Sequence, residues 1–277
     1  MTACGYMLHT VYSLSDSSLM GRHSYFADGV TVDFPIISAV LRLSTKYFFG
    51  CLRRRALARL RLDWPSTLVE WDERERAATT PNGLYKPSLT RTDPILIIDL
   101  ARELSLPSLL RAAFYDISRY TPTHILSGSS ITPDGHRVFL SRTDLMLVFQ
   151  GREASQNFVS LFIARELEDR RPTPWCINAH NNKNEICRDA FGLVAYESMR
   201  AVSGLTASRE NDPLYLLQCV IELQTRDIGT DVAEKPTAQG CEACRADLQA
   251  TIQRARQTIW DSIPGWFGIN VMMMEDL

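Results

Sequence analysis

The chain has 277 residues, enough for one large or two small hydrophobic cores. Hydrophobic residues make up 45% of it and charged residues 22%, which are ordinary values for a globular protein. The formal net charge of −2 gives no general attraction to nucleic acid, so no nucleic-acid partner is predicted.

The N-terminal segment predicts no export and no membrane attachment. It lacks the basic region and long apolar core of a secretory signal, and no glycine follows Met1 to accept a myristoyl group. The longest apolar run is far below the roughly 18 residues of a membrane span. Because no secretory signal is found and the seven cysteines are odd in number, we interpret them as reduced thiols in a cytoplasmic or nuclear protein.

Helical periodicity predicts the first elements. A short apolar helix is predicted over Cys4–Ser13, followed by a loop. Two packed helices are predicted next, over residues 34–48 and 51–62. Their buried faces are predicted to comprise Ile37, Val40, Leu41, Ser44, Tyr47 and Phe48 in the first helix, and Leu52, Ala56, Leu57 and Leu60 in the second.

Capping signals place the middle helices. Thr67-x-x-Glu70 is a capping box, and Asp93-Pro94 is a cap followed by a proline at the first helical position. Pro107 opens the next predicted helix.

A long helix follows Ser141-x-x-Asp144, with Gly151 expected to allow close backbone contact at its middle. Its predicted stripe is Leu145, Val148, Phe149, Phe158, Leu161, Phe162 and Arg165.

The last third of the chain is also predicted to be helical. Glu168–Pro174 (EDRRPTP) is interpreted as a charged, proline-broken linker. Asn184 and Asp212-Pro213 are expected to start two helices, and Pro264 is expected to end the final one. That final helix is predicted to bury Leu248, Ile252, Ala255 and Ile259. Clear alternation of strand length is absent, so the predicted fold is mostly α.

Four segments resemble one group of proteins. They are Asp33–Trp71 (DFPIISAVLRLSTKYFFGCLRRRALARLRLDWPSTLVEW), Pro94–Tyr120, Leu140–Glu153 (LSRTDLMLVFQGRE) and Cys241–Ile269 (CEACRADLQATIQRARQTIWDSIPGWFGI). Together they resemble BTB (POZ) domain proteins of a kind expanded in fungi. The motifs are distinctive as a set and weak singly, and they spread over most of Asp33–Ile269.

The resemblance implies a domain organisation. Residues 1–62 would be the helical remnant of a BTB domain, and residues 63–277 a helical extension like the BACK region that follows BTB domains. The strand–helix–strand half that opens a complete BTB domain would be mostly missing, since the chain starts only about 32 residues before Asp33.

The resemblance also implies a function. The family is known for protein–protein association, so the chain is expected to be a non-catalytic adaptor or scaffold. It would bind a partner, or itself, through the N-terminal helical region around Phe34–Leu62. Some BTB proteins are adaptors for cullin-based ubiquitin ligases, but the family's cullin-contact loop would precede residue 1, so no binding residue is carried over.

The sharpest chemical spacing is Cys241-x-x-Cys244. Two thiolates at this spacing can chelate zinc at the start of a helix. Cys176 and Cys187 (or His180) could complete a site but are not themselves paired, so packing thiols are favoured and no tight zinc binding is expected. A redox motif is the other reading, although no thioredoxin-like strand precedes it. A zinc- or thiol-dependent site at Cys241 and Cys244 therefore stays the alternative function.

Other candidate groups have ordinary structural interpretations. The arginines that follow Leu52 are expected on a solvated helix face, and Gly151-Arg152-Glu153 as a packed glycine beside a surface or half-buried ion pair. The aromatic residues near the C-terminus, Trp260, Trp266 and Phe267, are expected in the core. The five histidines are scattered, and no nucleotide-binding, hydrolase or zinc-protease motif is present. The predictions are therefore no enzyme activity, no catalytic residue, no cofactor and no metal ligand.

Overall fold

The computed structural model describes residues 33–80, 85, 91–129, 136–181, 183–202, 212–225 and 240–269. Of these residues 77% are helical, and they form no strand, only an isolated bridge between Thr79 and Tyr85. The predicted mostly-α fold is thus confirmed. The division into a BTB remnant and a BACK-like extension stays a prediction. The predicted helix Cys4–Ser13 lies outside the described residues.

The described residues form eleven α-helices and one π-helical turn. In chain order they are α1 (Phe34–Lys46), α2 (Gly50–Asp63), α3 (Leu68–Ala77), α4 (Pro94–Glu103), α5 (Pro107–Ser118), α6 (Pro122–Ser127), α7 (Arg142–Phe162), the π-helical turn (Ile163–Leu167), α8 (Ile177–His180), α9 (Asn184–Val202), α10 (Pro213–Thr225) and α11 (Glu242–Trp266).

The chain packs as two compact units. The first unit contains described residues of 33–114 together with Leu126–Leu140, and the second contains Tyr115–Ile125 together with described residues of 141–269. The division falls within α5. This division reflects which residues contact one another. The predicted domain boundary at residue 62 is instead implied by the family resemblance, and it stays a prediction.

In the first unit, α1 and α2 pack against each other as predicted. Leu41 is 0% exposed and Leu57 is 4% exposed, and the other predicted residues of the α2 stripe are also buried. The predicted α1 stripe is wrong at its end, because Tyr47 and Phe48 are exposed. The helix stops at Lys46, and Phe48 adopts a left-handed backbone (φ 58°) that turns the chain away from the helical face.

The predicted caps of the first unit are present. The Thr67 hydroxyl accepts a hydrogen bond from the Glu70 amide, and the Glu70 carboxylate accepts one from the Thr67 amide, which completes the capping box. The Asp93 carboxylate accepts a hydrogen bond from the Ile95 amide at the start of α4. Both caps satisfy amides that a helix start otherwise leaves unpaired.

In the second unit, α7, α9, α10 and α11 pack together, each against at least two of the others. Gly151 has the predicted packing role, because the ring of Phe267 occupies the place of a side chain there. A Cβ added at Gly151 would lie 2.2 Å from a ring carbon. Trp260 and Phe267 are buried as predicted, and the half-buried Trp266 packs in a tilted arrangement against Phe158, with ring centroids 5.9 Å apart.

A buried polar network supports the start of α10. Tyr115 donates a hydrogen bond to Asp212 Oδ1 at 2.8 Å, and the Leu214 amide donates one to the Tyr115 hydroxyl at 3.1 Å. Arg119 pairs with Asp212 at 2.6 Å and also with Asp116. Burial, and then the nearby Asp212 charge, raise the pKa of Tyr115 well above its ordinary value, so the phenol keeps its proton.

The predicted buried stripe of the long helix α7 is wrong in part. Of the predicted stripe, Val148 and Phe162 are buried, whereas Phe149, Leu161 and Arg165 are exposed. The buried face of α7 comprises Asp144, Val148, Gly151, Ser155, Val159 and Phe162. Small residues on this face let neighbouring groups approach closely, which a count of hydrophobic residues does not register.

Pro264 does not end α11, which continues to Trp266. The proline removes one backbone hydrogen bond, and the Phe267 amide still bonds to the Ile263 carbonyl at 3.0 Å. Among the described residues, none of the helices has the length and apolar character needed to cross a bilayer.

Candidate metal centre

Four cysteines of the second unit converge on one point. Their sulfur atoms, those of Cys176, Cys187, Cys241 and Cys244, all lie within 4.8 Å of one another. The Cys176 sulfur lies 3.7 Å from that of Cys187 and 3.8 Å from that of Cys241. Cys176, Cys187 and Cys244 are fully buried, and Cys241 is half-buried. We call these four residues the cysteine cluster.

Three helix starts bring the four sulfurs together. Cys176 precedes α8, Cys187 lies in the first turn of α9, and Cys241 and Cys244 lie at the cap and in the first turn of α11. The Cys241-x-x-Cys244 spacing places both thiols on one side of the α11 start. Between α8 and α9 the Lys183 amide donates a hydrogen bond to the Asn178 carbonyl at 2.7 Å, and the Cys187 sulfur lies near that of Cys176.

Hydrogen-bond donors point at the sulfurs. The Cys241 amide donates to the Cys187 sulfur at 3.2 Å, and the Asn178 side-chain amide donates to the same sulfur at 3.1 Å. The Ala179 amide donates to the Cys176 sulfur at 3.4 Å. Such donors stabilise negative charge on sulfur and orient a ligand that binds a metal.

The thiols differ strongly in acidity. Burial acts to raise the pKa of Cys241, but amide donors from Cys244 and Ile177, together with neighbouring thiols, outweigh burial and lower it to about 6. Burial raises the pKa of Cys244 to about 12, helped by hydrogen bonds with Cys176 and Cys241, and burial also raises that of Cys187. Among these three thiols, Cys241 is therefore the one that most readily becomes a thiolate.

The segment before Cys176 is fixed rather than a free linker. Arg170, in the predicted linker Glu168–Pro174, pairs with Asp247 on α11 at 2.5 Å and lies over the ring of Phe191 on α9, 5.5 Å from its centroid. It also donates a hydrogen bond to the Thr251 hydroxyl at 3.2 Å. The predicted linker Glu168–Pro174 is a non-helical connection, as expected, and Arg170 anchors it to α11. The guanidinium joins two helices that also carry cluster cysteines.

The reason for expecting no tight zinc binding does not hold in the structure. That expectation rested on the lack of a second ligand pair beside Cys241 and Cys244, and the fold supplies Cys176 and Cys187. His180, the other predicted candidate, is not among the converging ligand atoms of the described residues. Its Nδ1 lies 2.8 Å from the Cys176 carbonyl oxygen instead. The convergence was missed because the pairs lie far apart in the chain. Asparagine favours turns, so the asparagines that follow Cys176 in the sequence were the available signal.

The other candidate groups occupy structural positions. Arg54 and Arg55 are exposed on α2, while Arg59 approaches Asp63 at 3.6 Å, as expected for a solvated face with local ion pairs. Arg152 is half-buried and donates a hydrogen bond to the Tyr120 carbonyl at 2.9 Å, whereas Glu153 is exposed. Arg152 therefore contacts the backbone of Tyr120, and the predicted ion pair stays a prediction.

Comparisons with known proteins add no identification: no protein-family model matches the chain, and no curated protein or solved structure matches it either. The BTB resemblance therefore continues to depend on the sequence motifs alone.

Proposed function

We propose that this chain is a non-catalytic protein-association module whose contact surface lies on the turn between α1 and α2, within the predicted region Phe34–Leu62. The observation that carries the proposal is Phe48, which is 92% exposed in a left-handed backbone conformation. A bulky residue is rare at positive φ, and a glycine would make this turn without strain. An exposed aromatic ring at such a position is therefore best explained if the ring binds a partner protein.

The neighbours of Phe48 extend an apolar surface, which we call the turn patch: Leu43, Tyr47 and Phe48. Tyr47 is 55% exposed and Leu43 is 42% exposed. The Tyr47 ring lies 6.2 Å from that of Phe49, and the Lys46 ammonium lies 5.4 Å from the Tyr47 ring. Aromatic residues of this kind commonly supply most of the binding energy of a protein interface.

The partner that we propose is a second copy of the chain. Association with itself accords with the BTB resemblance, since the family is known for protein–protein association. The turn patch is apolar at its centre and has a cation at its edge, which is the usual composition of an interface. The cullin-based ligase suggested by the same resemblance stays a prediction, because the loop that would carry its contact was placed before residue 1.

Sedimentation of the purified chain tests this function. The wild-type chain should exceed its monomer mass of 31.4 kDa as concentration rises. In Phe48→Ser, the dissociation constant should rise by about tenfold or more, equivalent to about 1.4 kcal/mol. Val69→Ser is the matched control, because Val69 is also exposed but lies on α3, outside the patch. It should associate like the wild type.

Two results would contradict the proposal. A wild-type chain that stays monomeric over the whole concentration range would exclude self-association. Equal association of the wild type and Phe48→Ser would exclude the turn patch as the contact surface.

A further inference from the structure

We infer that the cysteine cluster is a structural zinc site in which the sulfurs of Cys176, Cys187, Cys241 and Cys244 bind one Zn²⁺. This inference goes beyond the proposed association, since it concerns the second unit and a ligand of a different chemical class. It also replaces the sequence-based expectation of no tight zinc binding.

The spacing of the sulfurs fits a single tetrahedral ion. Zinc binds thiolate sulfur at about 2.3 Å, so a tetrahedral site places its sulfurs about 3.8 Å apart. The Cys176 sulfur lies 3.7 Å from that of Cys187 and 3.8 Å from that of Cys241. A disulfide needs sulfurs at about 2.05 Å, so these thiols are not bonded to one another. A cluster of several irons would hold its thiolates farther apart, because each would bind a different iron.

Sulfurs in simple van der Waals contact would have similar spacing, so the surroundings decide between packing and binding. Packed thiols need only apolar neighbours. Here the Cys187 sulfur accepts hydrogen bonds from the Cys241 amide and from the Asn178 side chain, and the Cys176 sulfur accepts one from the Ala179 amide. Amide donors around a ring of sulfurs are the outer shell expected of thiolate ligands.

The chemistry of the ligand set selects the metal and its role. Four soft thiolates in a tetrahedral arrangement suit zinc, and four protein ligands leave no open position for substrate, so the site is structural. On binding, four Zn–S bonds form and each sulfur that still carries a proton loses it to solvent, with no change of oxidation state. The resulting charge of −2 is offset by the amide donors described above.

Zinc at this point would connect three separate helix starts. Cys176 and Cys241 are 65 residues apart, and the ion would hold the start of α11 to the starts of α8 and α9. Arg170 already joins α11 to α9 through Asp247 and Phe191, so the ion and the guanidinium would support the same arrangement.

Elemental analysis of the full-length protein, purified without chelator, is the first test. One zinc per chain is expected in the wild type. Cys241→Ser and Cys187→Ser should each reduce the zinc content to background. Cys219→Ser, a cysteine of α10 outside the cluster, should retain one zinc per chain. Wild-type protein without zinc, or with one iron per chain, would overturn the inference, as would equal zinc in Cys219→Ser and Cys241→Ser.

Cobalt substitution of the wild-type chain keeps the test independent of whether the cysteine variants fold. Replacing zinc by Co²⁺ should produce the intense visible bands of a tetrahedral site and a near-ultraviolet sulfur-to-cobalt charge-transfer band. His180→Ala should leave both unchanged, since all four ligands are cysteines. An octahedral cobalt spectrum in the wild type, or loss of the tetrahedral bands in His180→Ala, would overturn the four-cysteine assignment.

Discussion

In the α1–α2 hairpin, two helices that follow each other in the chain are joined by apolar side chains. The cysteine cluster instead joins Cys176 to Cys241, 65 residues further along the chain, and to two more cysteines through their sulfur atoms. The apolar contact is spread over many buried groups, among them Leu41 and Leu57. The cluster concentrates its interaction at one point. The hairpin should therefore respond mainly to changes of side-chain volume, and the cluster mainly to metal, acid and oxidants.

Removal of metal should give the largest effect and should separate the two regions. Structural zinc binds zinc-finger peptides with an apparent free energy of about 10–16 kcal/mol at neutral pH. A strong chelator should therefore reduce the hydrogen-exchange protection of α9 and the start of α11 far more than that of α1 and α2. Because thiolate ligands must be deprotonated, acid should have the same effect as chelator. Equal loss of protection in both regions would contradict the comparison.

Truncation of the hairpin core should give the next largest effect. Leu41→Ala and Leu57→Ala each remove a fully buried side chain, so each should lower the free energy of unfolding by about 2–5 kcal/mol. Arg54→Ala is the control on the exposed side of α2, and its effect should stay within about 0.5 kcal/mol. Urea unfolding midpoints measure all three. A Leu57→Ala midpoint equal to that of the wild type would show that the predicted register is wrong.

A smaller effect is expected from Gly151→Ala. The added methyl group would overlap the Phe267 ring, and overpacking of this kind costs about 1–3 kcal/mol. Gly192→Ala on α9 is the matched control, because a Cβ there has no atom within 4 Å among those of its surroundings. That change should raise stability by up to about 1 kcal/mol through helix propensity. Thermal unfolding should therefore shift in opposite directions for the two variants.

The smallest effect should come from the cap of α3. Thr67→Ala removes the hydroxyl that accepts a hydrogen bond from the Glu70 amide. The loss of such a cap typically lowers the free energy of unfolding by about 1 kcal/mol. Thr67→Ser keeps a hydroxyl and should be close to the wild type. Urea midpoints of the two variants provide the measurement, and an equal loss in both would show that the methyl group of Thr67 matters more than its hydrogen bond.

The two regions also differ in how far the sequence could predict them. The helices of the hairpin follow from residues three and four apart, and the starts at Thr67, Asp93 and Ser141 follow from local capping patterns, so nearby residues were sufficient. The ends of buried stripes were predicted less well. Phe48 looked buried by periodicity, but the chain leaves the helix two residues before it.

The cysteine cluster could be predicted only in part. Cys241 and Cys244 are visible as a pair because both are on one helix turn. Their meeting with Cys176 and Cys187 depends on contacts between the starts of α9 and α11, such as the Cys241 amide to Cys187 sulfur hydrogen bond, and on the anchor at Arg170. No local pattern contains these contacts. A compact four-ligand site assembled from distant segments is a property of the tertiary structure, and single-sequence periodicity carries no information about it.

The π-helical turn Ile163–Leu167 restricts insertions and deletions in the chain that leads to the cysteine cluster. A π turn contains one residue more than an α-helical turn would, and here the Glu168 amide closes it on the Ile163 carbonyl at 2.9 Å. Deleting one residue there would rotate the following chain by about 100° around the helix axis. Because the turn ends at Leu167, Arg170 would then leave the helix in a different direction from the one that reaches Asp247. Related chains that keep all four cysteines should therefore tolerate substitutions in this turn far better than insertions or deletions.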